Sequence, residues 1–560
     1  MRSVAIASIL IASVTAAGRG QELQGAVFAT GSQTPVVAVT IVLLDDAGRT
    51  LARGVTDAKG RYRIVMPAGT RRVRAMRLGF RPRTVSYTAG EGQLDIRLDV
   101  IATLLETVTV ADQPGCRARP DRAAALALWA QARAGLTSVV VAREANPMQA
   151  LRLSYYRIVG ESRPGILSQT VEGERATVTR PFGASRMAEE YIREGFRSDS
   201  ADGRMFYAPD ADVLLDEAFT RGYCFHLARA DSTRPTQLGL AFEPMRRVRG
   251  RTQIEGALWV DSAARALVDL EFRYIGLDLS EMVLRPGGRV AFRTMPTGVP
   301  LIDQWFIRVV SAVRERIGGS SERLEAHEIG GELARARWND STEWRADLGV
   351  VRGVLLSQGT RLPNREIWLA ATDYRAVTDS LGGFEIRDLV PGRYTFSVPD
   401  RQLNALGLEL TRAQAFTVRR GEVVTVDAEL PTHADFISAK CRDTTDASTA
   451  SLLVGRVFGS DGKPTKADVT VRQGERKSVG VSGDNLWPKI YEGRAGEVKM
   501  FHSVYEGASG FHGLFYLCRL PPDTDLRIEA AEYGQEAVGE VRTYPRSHGI
   551  FTVLLKLRPR

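Results

Sequence analysis

At 560 residues the chain is too long for one hydrophobic core, which stops growing at roughly 250 to 300 residues, so roughly three to five domains are expected. Its 44% apolar and 25% charged residues, with 53 Gly and 24 Pro, sit near ordinary globular usage and exclude a collagen-like, largely disordered or multi-span membrane protein. The formal charge of +9 is diluted over the whole length, and only 8 of the 75 basic residues are Lys. Runs such as Arg71-Arg72-Val73-Arg74 and Arg246-Arg247-Val248-Arg249 alternate with apolar residues as solvated strand faces do, so no nucleic-acid partner is expected.

Met1-Arg2 supplies a positive charge, Val4 to Val14 is an apolar run, and Ala16-Ala17-Gly18 offers small residues to a peptidase. This pattern predicts a secretory signal peptide over residues 1–20, with the mature end between Ala17 and Glu22. The run is shorter than the ~20 residues that span a bilayer, no Cys lies near it for lipid attachment, and no second apolar stretch of that length is expected. A soluble exported protein follows, placed in the periplasm, at the outer membrane or outside the cell.

A repeat organises the rest. Thr56-Asp57-Ala58-Lys59-Gly60-Arg61-Tyr62-Arg63-Ile64 recurs as Thr378-Asp379-Ser380-Leu381-Gly382-Gly383-Phe384-Glu385-Ile386, followed by Pro67-Ala68-Gly69 and Pro391-Gly392. Upstream, Gly25 precedes Pro35 as Gly353 precedes Pro363, and each Pro leads an alternating strand. A more decayed copy runs from Gly455-Arg456-Val457 past Pro464 to Gly513-Leu514-Phe515-Tyr516-Leu517, with Ser509 and Gly510 in place of Thr-Asp. Period-two apolar residues punctuated by Gly, Pro and Asp describe a small β-sandwich, with Asp57 and Asp379 bonding turn amides and Tyr62 and Phe384 entering the core.

These residues resemble the carboxypeptidase regulatory-like domain, a transthyretin-like or prealbumin-like sandwich also grouped with carbohydrate-binding-like folds. The resemblance covers 22 to 110 and 346 to 431 well and 452 to 560 in part. It implies a fold and confers no peptidase activity. Leu105-Glu106-Thr107-Val108-Thr109-Val110-Ala111 is similar to the segment that joins this sandwich to the plug of TonB-dependent receptors; a last strand of the sandwich is the expected role.

The middle region differs. Pro120-Asp121 predicts a capped helix through Leu136 with an Ala-rich apolar face, and strands follow at Leu151 to Val159, Ile254 to Val260, Ala266 to Tyr274, Arg289 to Arg293 and Trp305 to Val310. The fold expected is mainly β. Three Greek-key-type β-sandwiches at 21–111, 346–431 and 451–560 flank a central antiparallel, half-barrel-like domain at 112–345 that begins with a helix, and 432–450 is a linker. The concave face of the central sheet is expected to be a filled core, with an acyl-chain groove as the alternative.

In an exported chain, Cys116, Cys224, Cys441 and Cys518, none of them in a CxxC pair, predict disulfides. Domain partition favours Cys116 with Cys224 and Cys441 with Cys518. His226, His327, His433, His502, His512 and His548 lack zinc-site spacing, and no serine elbow or P-loop is present. Glu189-Glu190 and Asp210 to Asp216 sit in turn-rich sequence where solvated carboxylates are expected. No catalytic residue, cofactor or metal is therefore assigned. The sequence points to a non-catalytic exported binding or scaffold protein whose partner is a glycan, a peptide or an envelope protein. A periplasmic lipid or lipoprotein carrier, or an outer-membrane receptor accessory, is the alternative, and an unrecognised hydrolase a further one.

Overall fold

The computed structural model describes residues 22–88, 90, 92–105, 116–117, 119–160, 166–200, 203–278, 282, 285–316, 320–339, 341–440, 451–465, 467–473, 490–495, 513–518, 525–532, 534–542 and 549–559. The expected leader and most of the 105–111 segment lie outside them. Leu105 itself is in a turn, and among the described residues the last strand of the first sandwich is the earlier Ile96–Leu98.

In that sandwich the opening strand Glu22–Ala29 pairs antiparallel with Arg61–Val65 and parallel with Ile96–Leu98. The facing sheet runs Thr50–Val55, Thr40–Leu44, Arg72–Met76, Arg83–Ser86. Tyr62 and Ile64 alternate with solvated arginines and pack on Leu23, Ile41, Leu43 and Val73. Strand Thr40–Leu44 is buried on both faces, because a long helix lies over its outer side.

The same order recurs twice. In the second sandwich Gly349–Ser357 pairs antiparallel with Gly383–Leu389 and parallel with Val423–Thr425 and Ala428–Glu429, facing a sheet of Arg375–Val377, Glu366–Leu369, Gly392–Val398 and Leu410–Val418. In the third, Ser451–Phe458 pairs antiparallel with Leu514–Cys518 and parallel with Gly549–Lys556, facing a sheet that begins Ile490–Ala495, Ala467–Gln473, Asp525–Glu532, Gln535–Arg542.

Between the first two lies a ten-stranded antiparallel sheet, open rather than closed into a barrel among the described residues. Its order is Tyr223–Leu227, Gln237–Pro244, Gln253–Asp261, Ala266–Ile275, Gly287–Thr294, Pro300–Arg316, Ser320–Trp338, Met148–Val159, Ile166–Val178, with Glu343–Arg345 pairing Ser320–Trp338 off this path. Sequence reading missed Ile166–Val178, Tyr223–Leu227, Gln237–Pro244 and Ser320–Trp338; in Ile166–Val178 and Ser320–Trp338 charged and polar residues dilute the alternation.

The helix runs Arg122–Ala145, well past the expected end at Leu136. Asp121 occupies its N-cap without capping it, since the carboxylate instead accepts from the Leu227 amide at 2.8 Å. By length and composition Arg122–Arg143 could cross a membrane, which corrects the expectation of no second long apolar stretch, yet 61% of its most apolar window is buried inside the protein. Leu128, Trp129, Ala132 and Leu136 form one core with Leu270, Phe272, Tyr274 and Val290 of the sheet. The second basic run is also corrected. Arg246 to Arg251 forms the turn between two strands, with the Arg251 amide bonded to Val248 O and Gly250 at φ +77°.

The opposite sheet face supplies Leu153, Tyr155 and Val171 to the core of the second sandwich. Part of the expected linker is helical: His433–Lys440 buries Phe436 and Ile437 between the second and third sandwiches, against Leu452, Leu514 and Ile550. Each such side chain stabilises by about 1.5–3 kcal/mol, which a free linker would forgo.

Candidate functional site

The repeated motif can be followed atom by atom. Asp57 Oδ1 accepts from the amides of Lys59 and Arg61, each at 2.9 Å, and Asp379 Oδ1 from those of Leu381 and Gly383, each at 2.8 Å. Thr56 and Thr378 are buried, each hydroxyl accepting one amide (Val39, Arg365) and donating to one carbonyl (Val36, Leu362). Gly60, Gly382 and Gly513 take φ of +72°, +77° and +80°, and their carbonyls receive the amides of Val27, Leu355 and Val457. The Thr hydroxyl, one Asp oxygen and the Gly carbonyl of the motif are thus held in turn and clasp in both of the clearer copies.

The other sequence candidates are scattered. His327 is buried on the central sheet with Tyr156 Oη at its Nδ1, and burial pushes its imidazole below the ordinary value. Burial, then the nearby Arg119, does the same to His226. His433 bonds Asp400 at 2.9 Å, far from both in the fold, while His502, His512 and His548 lie outside the described residues. No group of three or more potential metal ligands occurs among the described residues. Cys116 and Cys224 are bonded with Cα atoms 5.6 Å apart, fastening the segment before the helix to the edge strand Tyr223–Leu227. Cys518 is also disulfide-bonded; Cys441 lies outside the described residues.

Asp210 to Asp216 are not solvated loop carboxylates. Asp210 is 4% exposed and accepts from Val213 N and Ala184 N, Asp212 pairs with Arg143 and Arg180, and Asp216 caps the short helix Glu217–Gly222. Short helices break the periodicity here, so the sequence shows only turn-like spacing. Glu189 and Glu190 sit in the first turn of Ala188–Glu194, where the helix dipole favours negative charge.

What Asp210 holds in place is the rim of a cleft of about 280 Å³ on the helix-covered face of the central sheet. Val290, Ile302, Trp305 and Ile307 form its floor, and Phe182 and Tyr207 its walls. The Phe182 ring stands edge-on to Trp305, centroids 6.3 Å apart, and Tyr207 Oη is bonded to Ser198 Oγ at 2.9 Å. The concave face is thus mostly filled, and the remaining space is about twice the roughly 150 Å³ that admits one benzene ring.

Residues 22–102 match the carboxypeptidase regulatory-like domain. No curated protein matches the chain. Among solved structures, the Bacillus anthracis TIE protein is 9% identical with a TM-score of 0.12, over 64% of each chain, so the match spans less than two thirds of that protein. The shaft pilin SpaA of Lactobacillus rhamnosus GG is 11% identical with a TM-score of 0.12, over 39% of this chain and 98% of its own. The minor pilin GBS52 of Streptococcus agalactiae is 13% identical with a TM-score of 0.13, over 38% and 97%. Likeness at this level says nothing about function.

The carboxypeptidase regulatory-like domain is not a free appendage. Its Leu78-Gly79-Phe80 loop docks on the central helix, with the Gly79 amide donating to buried Gln131 Oε1 at 2.9 Å and Leu78 joining the central core. Ser138 Oγ donates to Ala38 O at 3.1 Å from the same helix. Gly79 has φ +88°, and a Cβ there would lie 2.2 Å from Arg265 Cδ, so the loop needs glycine.

Proposed function

We propose that the chain is an exported, non-catalytic binding or scaffold protein of the cell envelope, whose ligand is a glycan, a peptide or an envelope protein. The observation that carries this reading is the use of the motif's Thr, Asp and aromatic groups in turns and cores, in sandwiches that share cores with the sheet between them. Such an assembly presents fixed surfaces rather than reactive groups. The Cys116–Cys224 bond supports export, since disulfides persist in oxidising compartments. The test is capture from a cell-envelope extract with the mature protein, followed by identification of the bound component. A peptidase, esterase and glycosidase panel on the same material is expected to be silent, and metal-dependent turnover there would overturn the non-catalytic reading.

A second reading rests on the 280 Å³ apolar cleft, which a carrier of small lipids would use. Saturable uptake of a naphthalene dye that is abolished by Ile302→Trp would favour it.

A further inference from the structure

We infer that the central sheet carries a binding site for an acidic saccharide, one bearing carboxylate or phosphate groups. This deepens the reading of the chain as a binding protein and rests on it. A cleft of about 350 Å³ crosses four neighbouring strands on the face that also meets the second sandwich. Strand register puts Arg345, Arg335, Leu151 and Arg175 in one cross-strand row, and Glu343, Arg337, Gln149 and Thr177 in the row two residues away. Directly opposed residues share a face, so the rows form the two walls, and the strand backbone at Ala336 and Ala150 lies between them as floor, their methyl groups buried on the opposite face. At about 4.8 Å per strand each row spans about 14 Å.

Four guanidinium groups thus face one carboxylate. Arg335 sits directly opposite Arg345, an arrangement of like charges that weakens a sheet unless something neutralises it. The protein does so only in part. Arg335 Nη2 reaches Asp388 of the second sandwich, while its Nε is buried without an acceptor. Arg345 has only Glu343 at 3.8 Å, both side chains more than half exposed, a contact worth little in water. Arg337 bonds the neutral Gln149 amide, and Arg175 makes no hydrogen bond or ion pair among the described residues.

The missing partner is anionic, and guanidinium forks match the two oxygens of a carboxylate or phosphate. Its remaining chemistry is set by the walls. Gln149 and Thr177 offer an amide and a hydroxyl, and Leu151 is the single apolar side chain in either row, so the walls suit a polar, hydroxyl-bearing ligand better than an acyl chain. The two inner strands are paired on both sides, so a peptide could extend the sheet only at its outer edges and not across the arginine rows. A hydroxyl-rich ring with an acid group satisfies both walls.

Calorimetric titration of the full mature protein with a tetra-uronate, a sugar phosphate, a neutral tetrasaccharide and anionic phospholipid vesicles tests this. We expect one or both acidic sugars to bind and the neutral one not to. Arg175→Ala with Arg337→Ala should weaken binding at least tenfold, Glu343→Gln should tighten it, and higher salt should weaken it. The two arginines have no carboxylate partner, so the double variant should keep the wild-type circular dichroism spectrum. Failure of both acidic sugars, binding to vesicles alone, or affinity unchanged in the double variant overturns the inference. If an envelope component is still captured equally by the double variant, the binding-protein reading survives and only this site falls.

Discussion

Gly25 lies directly opposite Tyr62 across the opening strand pair of the first sandwich. Gly353 holds the same place opposite Phe384 in the second, and Gly455 opposite Phe515 in the third. The reason for glycine differs in detail and agrees in kind. A Cβ would fall 1.8 Å from Leu94 O at Gly25, 2.0 Å from Val426 O at Gly353, and 1.9 Å from the Phe515 ring at Gly455. In the first copy the Tyr62 hydroxyl passes over the glycine to donate to Leu94 O at 2.6 Å. One close approach therefore ties the opening strand, the aromatic strand and the closing segment together.

From that contact, Gly25→Ala and Gly353→Ala should each destabilise the protein by about 1–3 kcal/mol, the usual cost of overpacking. Gly92→Ala, where a Cβ meets nothing within 4 Å and φ is not positive, is the control and should be near neutral. Urea denaturation of the three variants reads the difference, and equal loss at Gly92 would refute the argument.

Phe384→Ala should cost about 3–5 kcal/mol, because Phe384 is 6% exposed and packs edge-on to Phe396 at 5.4 Å. Asp379→Ala should cost less, about 2 kcal/mol, for two turn amides at roughly 1 kcal/mol each. A reversed order in chemical denaturation would mean that the core assignment of Phe384 is wrong.

Cys224→Ser should lower stability by up to about 4–5 kcal/mol in the chain-entropy picture, since the bond closes a separation of 108 residues. Non-reducing peptide mapping should return a Cys116–Cys224 linked peptide; a Cys224–Cys441 peptide would contradict the domain partition.

Alkaline pH should unfold the chain through its phenols. Burial raises the pKa of Tyr62, Tyr155, Tyr223 and Tyr394 above the ordinary value of 10.0. Above pH 10 the unfolded chain loses these protons while the folded one keeps them, so their stabilisation is complete below that pH and is lost as pH rises past it. Lys440, pushed by burial down to about 8, acts in the opposite sense between about 8 and 10.5, where stability rises with pH. Absorbance at the phenolate band should therefore show a late step coincident with loss of circular dichroism. A single smooth titration near pH 10 with structure intact would show the phenols to be exposed.

The sandwiches were legible because their information is local. Thr-Asp-x-x-Gly-x-aromatic-x-Ile writes a turn, its positive-φ glycine and an inward aromatic into nine consecutive residues, and the structure places Asp57 and Asp379 in equivalent turns. What only the tertiary structure decided depends on distant partners. Asp121 looks like a helix cap and serves the Leu227 amide, and Asp210 looks like a loop carboxylate and fastens a cleft rim. Arg335 and Arg345 become neighbours through strand pairing that no spacing in the sequence records. A period-two pattern tells which side of a strand is apolar, but the strand lying next to it, and hence which charges must face one another, is settled by the pairing of the whole sheet.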